Sequence, residues 1–275
     1  MAAIAVQPRS IEAPRYRKPR KAAAHEPLVW GGLAVAAFLI AWQALSSAGI
    51  VNNFLLSTPS AIAASAFQLF STGKLNADLS ISARAFGEGF ALAVLFTVPL
   101  GLLLGWYRGF DYALEPLISA LYAVPKVAVL PLILIWVGVG IESKLLMVFI
   151  GAFFPLVINL RAGVRAIDGA YVRLAKSFGA SPGFLFRSII LPGSLPFLLT
   201  GLRLAVARGL VGLVLGELYT GNEGIGFFLT VAGQQFRVAD MFVGVFIIAF
   251  AGLASSILLT RLEHSFDRWR PAVGQ

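Results

Sequence analysis

Six mostly apolar stretches of about 20 residues, separated by charged segments, constrain this chain more than any other feature of its sequence. A helix needs about that length to cross a bilayer. The stretches cover residues 27–47, 86–106, 116–139, 144–160, 197–218 and 241–260. The sequence therefore predicts an all-α, polytopic membrane protein with about six transmembrane helices.

Composition and the placement of charge support this prediction. Hydrophobic residues make up 58% of the 275 residues and charged residues only 13%, whereas soluble domains carry about a quarter charged residues. The net charge of +9 comes from clusters in the N-terminal tail, in the segment 161–187 and near the C-terminus. Because these clusters alternate with the apolar stretches, they indicate cytoplasmic segments at a membrane rather than nucleic-acid binding.

Several kinds of chemistry are excluded or disfavoured by residue type. The chain has no cysteine, and its two histidines, His25 and His264, lie in charged end segments. The segment 179–183 fits the pattern of a hydrolase nucleophile turn but is flanked by predicted helices, and no P-loop sequence occurs. We therefore expect no catalytic residue, no metal site and no cofactor held by this chain.

The third apolar stretch contains Pro125, Lys126 and Pro131, which predict an interruption of its backbone hydrogen bonds. Ionisable groups within a membrane usually face a protein interior or a water-filled path, so Lys126 is a candidate pathway residue. It could equally reach the membrane interface with its long side chain. In the fifth stretch, Arg208 and Glu217 are further candidates for the pathway.

Small residues recur at helical spacing in two places. They are Gly101, Gly105 and Gly109 in one run, and Gly212 and Gly216 in another. This spacing allows two helix backbones to approach closely, so it predicts helix packing rather than chemistry.

The segment 161–196 is too long for a tight turn and is patterned like two short helices. Asp168 is expected to cap the first helix, which Gly179 ends. Ser181 and Pro182 then open a second helix, expected to end before Pro192, with Leu191 outside helical geometry. The two helices should form a rigid elbow on the cytoplasmic face.

At this elbow the sequence resembles the EAA loop of type I ABC importer permeases. The matching residues are Arg173, Leu174 and Ala175, then Gly179, Ala180 and Ser181, and later Ile189, Leu191 and Pro192. Segments 122–132, 201–203, 221–226 and 262–269 are similar to the nitrate, sulfonate and taurine branch of that family. One departure is Arg173, where the family usually has Glu, which puts in doubt any ion pair that the Glu makes.

The resemblance implies the type I (MetI-like) permease fold and a translocation role in a bacterial plasma (inner) membrane. It further implies that the elbow docks on a separate cytoplasmic ATPase that binds the ATP. An external solute-binding protein would deliver a small solute, such as nitrate, a sulfonate or taurine, although relatives also carry neutral or cationic compounds. A second permease copy would complete a homodimer, with a similar second subunit as the alternative. Both termini would be cytoplasmic and the spans would contact membrane lipid.

The expected organisation is a basic tail (1–26), a first span with an external segment (27–83), a permease core (84–262) that contains the loop 161–196, and a C-terminal tail (263–275). Two other classes of function compete with a permease. An ion-coupled secondary transporter would explain the interrupted third stretch but not the structured loop. An intramembrane enzyme would need paired carboxylates or Ser and His within the spans, and the candidates are too few.

Overall fold

The computed structural model describes residues 26–49, 56–220 and 222–265, and within these residues every regular element is helical. The helices in chain order are α1 (Glu26–Ser47), α2 (Pro59–Ser71), α3 (Asn76–Trp106), α4 (Arg108–Ala123), α5 (Lys126–Val137), α6 (Ile141–Arg165), α7 (Gly169–Ser177), α8 (Pro182–Leu185), α9 (Leu191–Thr220), α10 (Ile225–Gln234) and α11 (Val238–Ser265). A π-helical segment, Phe186–Ile190, joins α8 to α9. The predicted N-terminal tail, except its last residue, and the end of the C-terminal tail lie outside the described residues.

The prediction of an all-α membrane protein with about six spans is confirmed. Among the described residues, five segments are long and apolar enough to cross a bilayer: α1, α3, α6, the stretch from α8 through α9, and α11. The helices α4 and α5 count as a sixth span if they are taken as one broken crossing. The second span begins earlier than predicted, at Asn76 rather than at residue 86, because polar residues open α3.

The third span is broken as predicted, and the break is sharp. The axes of α4 and α5 differ by 100°. Val124, with φ −67° and ψ 127°, is extended because the Pro125 ring disfavours helical geometry at the residue before it. Pro131, by contrast, lies inside α5 without ending it.

The prediction that the second elbow helix ends before Pro192 was wrong. Leu191 is helical, with φ −61° and ψ −50°, and its N–H donates to the carbonyl of Phe186, five residues earlier. This wider π-helical turn directly precedes the proline, and it relieves the clash that a proline ring makes with the preceding turn of an α-helix. The elbow therefore continues into α9 without a stop.

Two helices that the sequence analysis did not identify, α2 and α10, lie between the predicted spans. Helix α2 begins at Pro59 after Thr58, whose hydroxyl accepts a hydrogen bond of 3.2 Å from the Ala61 N–H. Helix α10 has only 10 residues. Both pack against α11 around a buried cluster that contains Ile62, Leu69, Phe228 and Val243.

The core is formed by α6 between α3, which runs parallel to it, and α9, which runs antiparallel to it. A Cβ at Gly212 would collide with the carbonyl oxygen of Met147, and a Cβ at Gly105 with the side chain of Val164. Gly101 and Gly216 also approach α6 closely, so the predicted packing role is confirmed at four of the five glycines. It was wrong for Gly109, which has no heavy atom within 4 Å of an added Cβ because it faces away from the neighbouring helices.

Candidate functional site

The first helix of the elbow, α7, is held at both ends by local hydrogen bonds. The Asp168 carboxylate accepts a bond of 2.8 Å from the Ala170 N–H. At the other end, Gly179 adopts φ +79°, and the Gly179 and Ala180 N–H groups donate to the carbonyls of Lys176 (2.9 Å) and Ala175 (3.0 Å). This is a Schellman C-cap, which favours glycine at its left-handed position.

The second helix of the elbow starts two residues after that cap. The Ser181 hydroxyl accepts a hydrogen bond of 3.3 Å from the Phe184 N–H, and Pro182 occupies the first helical position. Leu185 and Ile190 are buried, so this helix is anchored in the protein. The chain thus turns between α7, which has no buried residue, and α8, which is anchored by the buried Leu185.

The elbow leaves a ridge of large apolar side chains uncovered. Tyr171, Leu174, Phe178 and Phe184 are 55–84% exposed, and no residue of α7 is buried. Apolar side chains grouped in this way are typical of a surface that binds another protein. We refer to these four residues as the elbow ridge.

The residues predicted from the loop pattern fall into two groups. Ala175, Gly179, Ala180 and Ser181 take part in the caps of the turn, whereas Arg173 and Leu174 are exposed on α7, and Ile189, Leu191 and Pro192 lie where the elbow passes into α9. The Arg173 guanidinium folds back toward Gly169, at the N-terminus of its own helix. A cation there opposes the helix dipole, so this position would favour an acidic residue on electrostatic grounds.

The elbow also contacts the end of α3. The rings of Trp106 and Phe186 meet edge to face at a centroid distance of 6.0 Å. Next to them, an apolar cavity of about 570 Å³ lies between the last turns of α3 and the start of α8. The turn of the elbow is therefore incompletely packed against the last turns of α3.

A buried ion cluster lies where α6 leads into the elbow. The Asp111 carboxylate, in the first turn of α4, is 1% exposed and forms ion pairs with Arg161 and Arg165 near the end of α6. Glu115 adds a longer pair of 3.9 Å with Arg161. The sequence analysis had counted both arginines only as cytoplasmic charge, because nothing local connects them to a residue about 50 positions earlier.

Lys126 occupies the break in the third span. Its ammonium donates hydrogen bonds of 3.0 Å to the Tyr122 carbonyl and 3.2 Å to the Val124 carbonyl. It also lies over the rings of Tyr122 and Phe154, with centroid distances of 5.1 and 4.7 Å. The lysine thus satisfies carbonyls that the break at Pro125 removes from the helix ladder.

The three ionisable candidates for the pathway do not form one group. Arg208 is exposed on α9, whereas Lys126 lies at the break between α4 and α5. Glu217 lies nine residues further along α9, roughly 13 Å away along the helix axis, and is completely buried. The structure therefore places the carboxylate away from Arg208.

Glu217 belongs to a polar cluster at the far end of α9, which we call the distal cluster. Its members are Asp78, Ser82, Lys144, Glu217 and the loop 222–226. Ser82 donates to one Glu217 oxygen (2.6 Å) and the Gly226 N–H donates to the other (2.8 Å). Lys144 donates to the Glu223 carbonyl (2.8 Å), and the Gly224 N–H donates to Asp78 (2.7 Å). The cluster fixes the loop before α10 against α3, α6 and α9.

The sequence analysis missed the other residues of this cluster. Ser82 and Lys144 lie at the edges of predicted spans, where polar residues are common and carry little information. The glycine-rich segment 221–226 was noted only for its family resemblance. A Cβ on Gly224 would collide with the Glu217 carboxylate, so glycine is required there by close contact as well as by φ +107°.

Within the part of the chain that the structure describes, no three His, Asp or Glu side chains come together as metal ligands would. The segment 179–183 lies between two helices and does not follow a strand, unlike a hydrolase nucleophile turn.

Residues 97–270 match the family described as "Binding-protein-dependent transport system inner membrane component". A Bacillus subtilis protein whose name assigns it to aliphatic sulfonates transport as a permease is 32% identical over 240 residues, which cover 87% of each chain. The taurine transport system permease protein of Escherichia coli is 29% identical, with 87% of this chain and 89% of the relative covered. A formylaminopyrimidine transport permease protein of Halalkalibacterium halodurans is also 29% identical, over 84% of this chain and 92% of the relative.

Two solved structures share the fold. A methionine ABC transporter in inward-facing conformations has a chain that superimposes with a TM-score of 0.61 and 14% identity, over 68% of this chain and 93% of that chain. An amino acid ABC transporter gives a TM-score of 0.54 and 17% identity, over 73% and 96%. At these identities the likeness establishes the architecture and not the solute.

Proposed function

Since this chain belongs to the family of binding-protein-dependent transport system inner membrane components, and is a multi-pass permease subunit of an ABC importer, we propose that it forms the translocation pathway for a small sulfonate-type anion. The uncovered elbow ridge is the observation that carries the coupling part of this proposal. Taurine carries such a sulfonate group, and nitrate, another small oxyanion, is a further candidate.

The coupling part of the proposal is that the elbow docks on a separate cytoplasmic ATPase. The ridge offers four large apolar side chains, two on α7, one at its C-cap and one on α8, and α7 is capped at both ends and therefore keeps its shape. This chain has no phosphate-binding loop in its sequence, so ATP is bound by the partner and no cofactor is held here. Closure of the ATPase pair would move the elbow as a rigid body.

The pathway part assigns Lys126 and Arg208 to the route of the solute. Lys126 lies at the break of the third span and Arg208 is exposed on α9, and two cations along one route would favour an anionic solute. Two of the three relatives described above are named for sulfonate or taurine transport. The third is named for a pyrimidine, so solute class needs a direct measurement.

The topology part places both termini and the elbow in the cytosol and the distal cluster outside. The elbow precedes α9, and a 30-residue helix of about 45 Å carries the chain to the opposite side of the membrane. Cations are concentrated at the elbow end, as the positive-inside rule requires of cytoplasmic segments. An external binding protein would deliver the solute to the distal face, and a second copy of this chain would complete the pathway.

The decisive experiment is uptake by proteoliposomes that contain this chain, its ATPase and its binding protein. We expect labelled taurine or an alkanesulfonate to accumulate with internal ATP and not with a non-hydrolysable analogue. Formylaminopyrimidine serves as the neutral competitor. Uptake that continues without ATP but with a proton gradient would instead identify an ion-coupled transporter.

A further inference from the structure

The turn between α10 and α11 places a residue other than glycine in a left-handed backbone conformation, which happens nowhere else in the described residues. Phe236 has φ +54°, and it is the one residue other than glycine with positive φ in those ranges. Its N–H donates to the Gly233 carbonyl (3.0 Å), and the Arg237 N–H donates to the Ala232 carbonyl (2.8 Å). These bonds form a Schellman C-cap, with phenylalanine at the left-handed position.

The same motif at the elbow shows what this position normally requires. There the left-handed residue is Gly179, with φ +79°. A side chain at positive φ costs roughly 1 kcal/mol relative to glycine, because the Cβ crowds the following carbonyl. Phe236 therefore makes its turn less stable than the simplest alternative residue would.

Packing within the chain does not offset this cost. The Phe236 side chain is 71% exposed, and its sequence neighbours Gln234, Gln235 and Arg237 are exposed too. No ring of another described residue stacks on it. A large apolar ring left exposed among polar neighbours also gains no stabilisation from burial within the chain.

The turn is also held rigidly. Arg237 forms an ion pair of 2.8 Å with Asp240, and Asp240 accepts a hydrogen bond from Ser65 of α2. The start of α10 is fixed by the bond from the Gly226 N–H to Glu217. The ring is consequently presented from a fixed support, which lowers the entropy lost when a partner binds it.

The face of the protein on which Phe236 lies indicates which partner binds it. The residue follows α9 and α10, on the face opposite the elbow, so an ATPase bound at the elbow ridge cannot reach it. The family is defined by dependence on a binding protein. We propose that Phe236 is an anchor residue for the external solute-binding protein, inserting its ring into an apolar pocket on that protein's surface. This inference rests on the proposed function.

The test measures the affinity of the binding protein for the assembled transporter in nanodiscs, together with the melting temperature of the assembly. We expect Phe236→Gly and Phe236→Asn to weaken binding about tenfold or more while the melting temperature stays equal or rises, because both residues tolerate positive φ. Phe236→Tyr should bind as the wild type does. Phe67→Asn, which removes an aromatic ring 77% exposed on α2, is the matched control and should leave affinity unchanged.

Three results would overturn the inference. Unchanged affinity in Phe236→Gly, with normal binding by the wild type, would remove the contact but leave the proposed function intact. Unchanged affinity together with a lower melting temperature would show that the ring instead anchors the turn in the lipid interface. If the wild-type assembly itself bound no binding protein, the proposed function would fail as well.

Discussion

Asp111, buried in the first turn of α4, forms an ion pair with Arg165 in the last turn of α6. The pairing joins the positive end of one helix dipole to the negative end of another, and each charge has the sign that its helix end favours. Arg161, one turn earlier on α6, pairs with the same carboxylate. The cluster therefore ties the beginning of the broken span to the helix that leads into the elbow.

Replacing Asp111 by Asn should destabilise the protein. The substitution leaves Arg161 and Arg165 together without their buried counter-ion, but both arginines are partly exposed, at 21% and 37%. We therefore expect a loss of about 1–3 kcal/mol, less than for a fully buried pair. The loss should appear as a lower melting temperature in detergent. Arg84→Gln, which breaks the exposed pair with Glu88, is the control and should have little effect.

Gly212→Ala should impair the packing of α9 on α6. The added Cβ meets the Met147 carbonyl, which belongs to a helix backbone and cannot rotate aside. Overpacking of this kind costs about 1–3 kcal/mol. Gly109→Ala has open space and should leave the melting temperature equal or higher. If the two alanine variants melted alike, the close approach at Gly212 would not exist.

Gly179→Val should separate ATP hydrolysis from transport. A β-branched residue is strongly disfavoured at φ +79°, so the turn that aims the elbow ridge would be distorted without any change to the spans. We expect membrane insertion to be normal and uptake per ATP hydrolysed to fall at least several-fold in proteoliposomes. Gly183→Ala, two residues into the next helix segment, is the control. Normal coupling in the valine variant would argue against the elbow as the contact with the ATPase.

Lys126→Met should raise the apparent KM for an anionic solute, because it removes the cation at the break of the third span. It also frees the carbonyls of Tyr122 and Val124. Lys126→Arg keeps the charge and should recover most of the uptake. Kinetics identical to those of the wild type in the methionine variant would place the lysine at the membrane interface and outside the pathway.

Glu217→Ala should destabilise the distal cluster. It leaves the Ser82 hydroxyl and the Gly226 N–H without the acceptors they now use, and each buried orphan costs about 1–3 kcal/mol. Glu223→Ala is a close control, since Lys144 bonds to the backbone carbonyl of that residue and not to its exposed side chain. Equal stability of the two variants would contradict the structural role assigned to the Glu217 carboxylate.

Short sequence patterns predicted the parts of the fold that depend only on residues close together in the chain. Apolar length predicted the spans, and Asp168, Gly179 and Ser181 predicted the caps of the elbow, because each acts on its own backbone neighbours. The effect of proline on the helices was predicted wrongly at one position. Pro125 breaks a helix as expected, whereas Pro192 is accommodated by a π-helical turn whose formation depends on the packing of Ile190 and Leu185.

Long-range polar contacts could not be predicted from the sequence. Ser82 and Glu217 are 135 positions apart, and nothing near either residue specifies the other. The same holds for Asp111 and Arg165, 54 positions apart. Phe236 was also missed, since a phenylalanine next to a helix end gives no sign of a left-handed backbone. These features follow from how the helices pack, which only the tertiary structure shows.

The helical segment from Pro182 through the end of α9 is continuous, so a tilt at one end moves the other end. A rod of 38 residues is roughly 55 Å long. If the ATPase tilts it by about 5° at the cytosolic tip, simple geometry displaces the opposite tip by roughly 5 Å. The Gly226 N–H is hydrogen-bonded to Glu217 near that opposite tip, so this displacement would also move the start of α10. A movement of the elbow would in this way change the opening of the pathway at the other side of the bilayer.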